Sequence, residues 1–330
     1  NTSLKEFMAT YKEIRGVNIQ SLDADPTAVE GDVWYNATTS ILKMYSAAGA
    51  WATGGNVNTA RNSASSAGTQ TAALMSGGGN SNHVESYDGS SWTEVADLAT
   101  SKGQQLAGVL GTQTAALAVG GNPSPGVTVQ IWDGSSWTAA AANMNTAKYS
   151  GAAFGTTTAA LAAGGEVSGT IEQVEIFDGS SWTEVGDLNQ ERAYMSGFGT
   201  TASGVVVGGF NPPSQTVLDL TETWNGTAWT EGNNLNTARY KLGAVGITTN
   251  GLVFEGDTGV PLEQSAVTEA YDGTSFTEVA DLSVTRNSGA MCGTATSALT
   301  ASGTQSTKDS LGAVTEEWTL AASVETVAFD

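Results

Sequence analysis

The chain has one cysteine, one histidine and six prolines among 330 residues. Cys292 stands alone, so no internal disulfide forms and no thiolate cluster holds a metal. In the apolar run GAMCGT it reads as a buried small hydrophobe. A single imidazole, His83 in the loop GNSNHVES, excludes a His-rich zinc or copper site. No nucleophile-elbow sequence accompanies it, and a surface loop histidine is the expected reading. Positive charge is scarce too: 12 Lys and Arg face 33 Asp and Glu, for a formal net charge of −21. Nucleic acid and anionic membrane surfaces both require a basic stripe, so neither is expected as a partner. No run approaches 18 apolar residues, so no apolar helix spans a membrane. The N-terminus carries no basic–apolar–small pattern, and signal-directed secretion is not expected unless a segment was already removed.

What the chain does have is glycine, 41 of them, together with abundant Ala, Ser and Thr. That composition suits many short strands joined by tight turns. One phrase recurs: SYDGSSWTEV at 86–95, IWDGSSWT at 131–138 and IFDGSSWTEV at 176–185, with echoes TWNGTAWTEG at 223–232 and AYDGTSFTEV at 270–279. Aligned on the first aromatic, the copies fall at Tyr87, Trp132, Phe177, Trp224, Tyr271 and Trp318, 45 or 47 residues apart. A small-residue run ending in a glycine signal precedes each: AALMSGGG, AALAVGG, AALAAGG, GVVVGG, LVFEGD and ALTASG. This makes six units.

Each unit reads as four strands. In the third, SGAAFGT (150–156), TAALAAGG (158–165), EQVEIFD (172–178) and SWTEVGDL (181–188) follow in order. Asp-Gly or Asn-Gly between the last two tolerates the positive φ that a tight hairpin demands. Small side chains fill the first two strands and aromatics the last two, the gradient expected where sheets crowd at one end and diverge at the other. Gly164–Gly165, Glu175, Phe177, Trp182 and Arg192 then resemble, in order, the kelch repeat: a Gly-Gly pair, an aromatic with acidic neighbours, a Trp about six residues on and a basic residue leading onward. The resemblance covers roughly 61–330. It implies an all-β fold, a kelch-like β-propeller of six four-stranded blades. VETVAF serves as a fourth strand of the last, and a seventh blade stays open if ILKMYSAAGAWATGG (41–55) starts or closes the ring. Kelch propellers include copper sugar oxidases, which need His, Tyr and Cys near the metal; one histidine does not reproduce that set.

Six of the 12 cations share one register position ahead of the first strand: Arg61, Lys102, Lys148, Arg192, Arg239 and Arg286. Two residues before each first aromatic stands Glu85, Gln130, Glu175, Glu222, Glu269 or Glu316. One reading is a repeated ion pair or carbonyl-bonding cation that fixes each blade junction. The other is a ring of six cations at one end of the channel, holding an anion or a carboxylated sugar. The glycine pairs lack a GK[ST] ending and precede no helix, so they are not phosphate loops. DGSS lacks the alternating acids of a calcium loop. No metal or cofactor is expected.

Residues 1–60 do not share the repeat and read as an attachment segment ahead of a propeller over 61–330. SLKEFMATYKEIRG predicts a helix over 3–15, with a capping box (Ser3, Glu6) and an apolar stripe of Leu4, Phe7, Met8, Tyr11 and Ile14. A helix this short needs a packing partner: the propeller itself, a copy of itself or a larger assembly, with another chain favoured because the linker-like stretch 17–31 separates helix and propeller. A hairpin is expected within 32–55. DPTAVEGDVWYNATTSILKMYSAAGAW resembles a segment of marine bacteriophage structural proteins that precedes fibre or receptor-binding parts. It implies a virion component, a tail fibre, tail-associated or decoration protein, that meets host-surface glycan or protein through its loops, such as NPSPGV (122–127) and NPPSQT (211–216). Two other classes stay open: a glycan-cleaving enzyme using paired carboxylates on the same scaffold, and an intracellular kelch-type interaction module.

Overall fold

The structure, a computed structural model, describes residues 19–27, 32–104, 106–122, 126–212, 214–259, 263–305 and 310–326. The helix expected over 3–15, with Leu4, Phe7, Met8, Tyr11 and Ile14, lies outside the described residues. Among the described residues every regular element is a strand. The chain divides into two compact units, 49–319 and 1–48 with 320–330.

The larger unit is a succession of four-stranded antiparallel sheets in chain order: sheet 1 over 65–94, sheet 2 over 111–139, sheet 3 over 152–184, sheet 4 over 196–231 and sheet 5 over 243–279. Sheet 3 shows the pattern, with strands Ala152–Thr156, Ala159–Glu166, Thr170–Phe177 and Trp182–Glu184. Its last joint is made by Asp178, whose Oδ1 accepts from the amides of Ser180 and Ser181, each at 2.8 Å, while Gly179 takes φ +95°. Those bonds hold the Asp178 carboxyl down at about 2, the Ser181 amide first. Asp88, Asp133, Asn225 and Asp272 build the same turn.

Sheet 6 departs from the expected plan. Ala290–Thr294 and Ser297–Ala301 are its first two strands, and Thr315–Thr326 is one continuous third strand. Residues 324–326 of VETVAF therefore prolong the third strand and do not form a fourth. After Trp318 the chain reads TLAAS where the other copies have an Asx-Gly turn, so nothing there takes the positive φ that reversal needs. The fourth place is filled by residues 49–53 of the strand Ile41–Thr53. Trp51 packs at 5.5 Å from Trp318 and 5.1 Å from Phe254, and the Gly54 amide donates to the Thr315 carbonyl at 2.9 Å.

Two sets of contacts join the sheets. Their first strands lie against one another in chain order, and that of sheet 6 lies against that of sheet 1. The glycines that end the second strands explain their own recurrence. Gly78, Gly121, Gly165, Gly209, Gly256 and Gly303 all have positive φ, from +85° to +115°. Each amide thereby donates to the carbonyl of the basic register residue of the following sheet: Lys102, Lys148, Arg192, Arg239, Arg286 and, from sheet 6, Arg61. The residue before each also sits at positive φ, including Glu255 and Ser302 where the pair is not Gly-Gly. The core between sheets is aromatic and aliphatic: Val129 of sheet 2 packs with Phe177 and Trp182 of sheet 3, and Val174 of sheet 3 with Trp224 and Trp229 of sheet 4.

In the smaller unit Val33–Asn36 pairs antiparallel with the start of Ile41–Thr53, Asn36 opposite Ile41, and in parallel with Gln20–Leu22. Asp25 gathers Lys43 Nζ at 2.7 Å, Asn36 Nδ2 at 2.8 Å and Trp34 Nε1 at 3.1 Å, bonds that pull its carboxyl below the usual range, Lys43 foremost.

Candidate functional site: a cavity between the sheets

The six register cations are buried. Arg61, Arg239 and Arg286 donate to Glu85, Glu269 and Glu316 at 2.5, 2.7 and 2.5 Å. Lys148 lies 3.5 Å from Glu175. Arg192 lies 2.9 Å from Glu222, off the line of a hydrogen bond. In four sheets the same carboxylate also accepts from the amide and side chain of an asparagine, Asn58, Asn145, Asn189 or Asn236. The cation's side chain thus ties the start of its sheet to that sheet's third strand, and its carbonyl ties on the sheet before. Sheet 2 changes all three partners together, to Ala99, Lys102 and Gln130. Lys102 there donates to the Gly120 carbonyl at 2.7 Å and to Thr128, and burial without a carboxylate pushes its ammonium down to about 8. Buried in this way, the six cations offer no open face to an anion. Their placement is that of the junction reading, because a solvated ring would leave five glutamates buried without partners.

Two residues further on stands a second register position: Ser63, Gln104, Ser150, Tyr194, Lys241 and Ser288. All six adopt the left-handed conformation, with φ between +47° and +56°, which costs a non-glycine residue about 1–2 kcal/mol. Backbone bonds run between them: Ser63 to Ser288, Ser288 to Lys241, Lys241 to Tyr194, Tyr194 to Ser150 and Ser150 to Gln104, donor first. Five of the six line a cavity of about 360 Å³ together with Asn62, Asn80 and Asn287. All six line a smaller hollow of about 40 Å³ that shares those five residues, with Ala64, Ala107, Met195, Leu242 and Met291.

The lining is polar and, among the described residues, free of carboxylate. Two acids stand behind it. Glu166 accepts from the Tyr194 hydroxyl at 2.6 Å. Burial, then that bond, raises the Tyr194 phenol above its ordinary range. Asp257 accepts both ways from Asn287 Nδ2, at 2.9 and 3.0 Å. Among the described residues Lys241 is the one cation of the lining. Its ammonium is 3.8 Å from Asp257 and lies 5.8 and 5.3 Å from the ring centroids of Tyr194 and Tyr240. Tyr240 in turn stacks on Phe210 at 5.0 Å. This arrangement can offer amide and hydroxyl hydrogen bonds, an aromatic surface and one ammonium; among the described residues it holds no nucleophile–base pair.

What repeats along the chain does not mark this position. The signal is present: the cation is followed by NS, GQ, YS, AY, YK and NS, so the second residue varies while its surroundings hold register. His83 lies at the surface, 3.5 Å from Glu94 and 3.8 Å from Asp97, and these three are the described group with donor atoms close enough to share a metal ion. All three are partly exposed to water and none touches the cavity. Cys292 is buried, and burial pushes its thiol up to about 12. Of the loops singled out in the sequence, 123–125 and residue 213 lie outside the described residues. Phe210–Asn211 and Thr216–Val217 form a small two-stranded ribbon.

No protein-family model matches the chain, and no curated protein matches its sequence.

Proposed function

We propose that the six sheets are the blades of a kelch-like propeller, and that the protein is a binding and structural component with the cavity as its ligand face. One observation carries the binding reading. Six residues share a register position, a left-handed backbone and a chain of five backbone hydrogen bonds, yet present four kinds of side chain. A scaffold position has no use for such variety at a cost in strain, whereas a site does. Closure of the propeller is supported by the packing of sheet 6 on sheet 1 and by the Gly303–Arg61 bond. The lining supports binding over catalysis, since hydrolysis of a glycan needs two carboxylates about 5–9 Å apart around the bond.

In this reading the protein belongs to a bacteriophage particle, attached through its N-terminal segment and presenting the cavity to a host-surface glycan or to a neighbouring virion protein. The resemblance of residues 25–51 to phage structural segments and the apolar stripe at Leu4, Phe7, Met8, Tyr11 and Ile14 support the attachment. The native mass of the full chain and of a chain lacking residues 1–30 tests it. The full chain is expected to form a defined oligomer or to join larger particles, and the shortened chain to be monomeric. Monomers in both forms, with no association to particles, overturn the attachment.

A further inference from the structure

Resting on the reading of the cavity as a ligand face, we infer that its ligand is an acidic pyranose, a uronic acid or similar sugar carboxylate at the end of a glycan. The volume of about 360 Å³ lies in the range of small-molecule sites and leaves room for a single sugar ring. One wall is formed by the amides of Asn62, Asn80, Gln104 and Asn287 with the hydroxyls of Ser63 and Ser288. Amides and hydroxyls each donate and accept, which matches the paired donor and acceptor character of adjacent sugar hydroxyls. An apolar ligand would strand those of these groups that are not bonded within the protein, as Asn62 Nδ2 is to Thr304 and Asn287 Nδ2 to Asp257, and a phosphate or sulfate would leave the amide oxygens facing negative charge.

Tyr194 and Lys241 also line the cavity. Tyr194 brings aromatic surface beside the amides, a place for the C–H face of a pyranose. Its hydroxyl is committed to Glu166, which fixes the ring. Lys241 selects the charge. In a chain of net charge −21 the cavity lining has, among the described residues, one ammonium and no carboxylate. At 3.8 Å the Asp257 carboxylate is beyond direct hydrogen-bond reach of that ammonium, and its oxygens are engaged by Asn287. The ammonium keeps a donor for a carboxylate entering from the cavity, and desolvation there makes the charge-assisted bond stronger than at an open surface.

The test uses the full chain, titrated by calorimetry or NMR with glucuronate, galacturonate, glucose and acetate. Saturable one-to-one binding of a uronate is expected, about tenfold or more tighter than glucose, weakening with added salt, with acetate showing none. Lys241→Gln, which keeps a long polar side chain, is expected to bring the uronate to the level of glucose. Gln104→Ala is expected to weaken both sugars. Equal binding of uronate and glucose by the wild type overturns the acidic class. If both then weaken in Gln104→Ala, the cavity still stands as the ligand face. Uronate binding unchanged in both variants overturns the class and the cavity together. Saturable binding by none of the sugars overturns the inference.

Discussion

Three residues before each first aromatic, the third strand carries either threonine or valine: Val84, Val129, Val174, Thr221, Thr268 and Thr315. This position faces the fourth-strand aromatic of the following sheet. Where it is threonine and the aromatic is tryptophan, the indole N–H finds an acceptor. Trp51 donates to Thr268 Oγ1 at 3.0 Å and Trp92 to Thr315 Oγ1 at 2.9 Å. Where it is valine, the indole nitrogens of Trp137, Trp182 and Trp229 are buried without a partner, and Thr221, opposite Phe276, has the converse fault. A buried unmet donor costs about 1–3 kcal/mol. Val129→Thr, which places a hydroxyl beside Trp182 within the same packed cluster, is expected to raise stability by about 1 kcal/mol, read from the denaturant midpoint. A midpoint that falls would show that the indole is already satisfied and that only a methyl was lost.

At the scale of an element, the end of the second strand decides how sheets join. In sheets 1 to 4 the left-handed residue ahead of the bonding glycine is itself glycine. Sheets 5 and 6 have Glu255 and Ser302, and both turn their side chains to the joint. Ser302 Oγ donates to the carbonyls of Arg61 and Gly312 at 2.7 and 2.8 Å. The fully buried Glu255 accepts from the Gly289 amide at 2.8 Å and Thr300 Oγ1 at 2.7 Å, both on sheet 6. Burial raises the Glu255 carboxyl to about 7, against Arg286, which lowers it, and with Glu316, which adds to the rise. Its folded value lies above its unfolded one, so the folded state holds the extra proton between about pH 4.5 and 7. The stability this group contributes is complete below that window and is lost as pH rises through it, by about 3 kcal/mol at most. Glu255→Gln is expected to flatten that part of the pH–stability curve, measured by chemical denaturation from pH 4 to 8. A wild-type curve rising with pH in step with the variant's would disprove the assignment.

For the larger unit as a whole, the consequential residue lies near the other end of the chain from its partners. Sheet 6 takes its fourth strand from 49–53, so Trp51 with Thr268, Phe254 and Trp318 brings residues far apart in sequence into one core. Trp51→Ala is expected to lower stability by about 3 kcal/mol, with unfolding still a single transition by fluorescence and circular dichroism. An unchanged midpoint would mean that the unit holds together without its first strand. Charge acts at this scale too. With six of 12 cations buried, the surface is left almost wholly acidic, which resists self-association and is relieved by salt.

By itself the sequence determined what neighbours along the chain decide. IFDGSSWTEV turns because Asp178 caps its own loop and Gly179 accepts positive φ, and Phe177 meets Trp182 across that turn because a two-residue reversal allows no other register. The first five copies, their strands and their aromatic pairs follow from such local rules. Only the tertiary structure decided the rest: that 49–53 completes sheet 6 while 324–326 prolong its third strand, that each glycine amide reaches a cation's carbonyl on the following sheet, that the cations are buried, and that three serines, Gln104, Tyr194 and Lys241 meet around one hollow. Each of these depends on contacts between segments 15 to more than 200 residues apart. Local propensity places no constraint on which distant partner a segment meets; packing and hydrogen-bond satisfaction among whole sheets do.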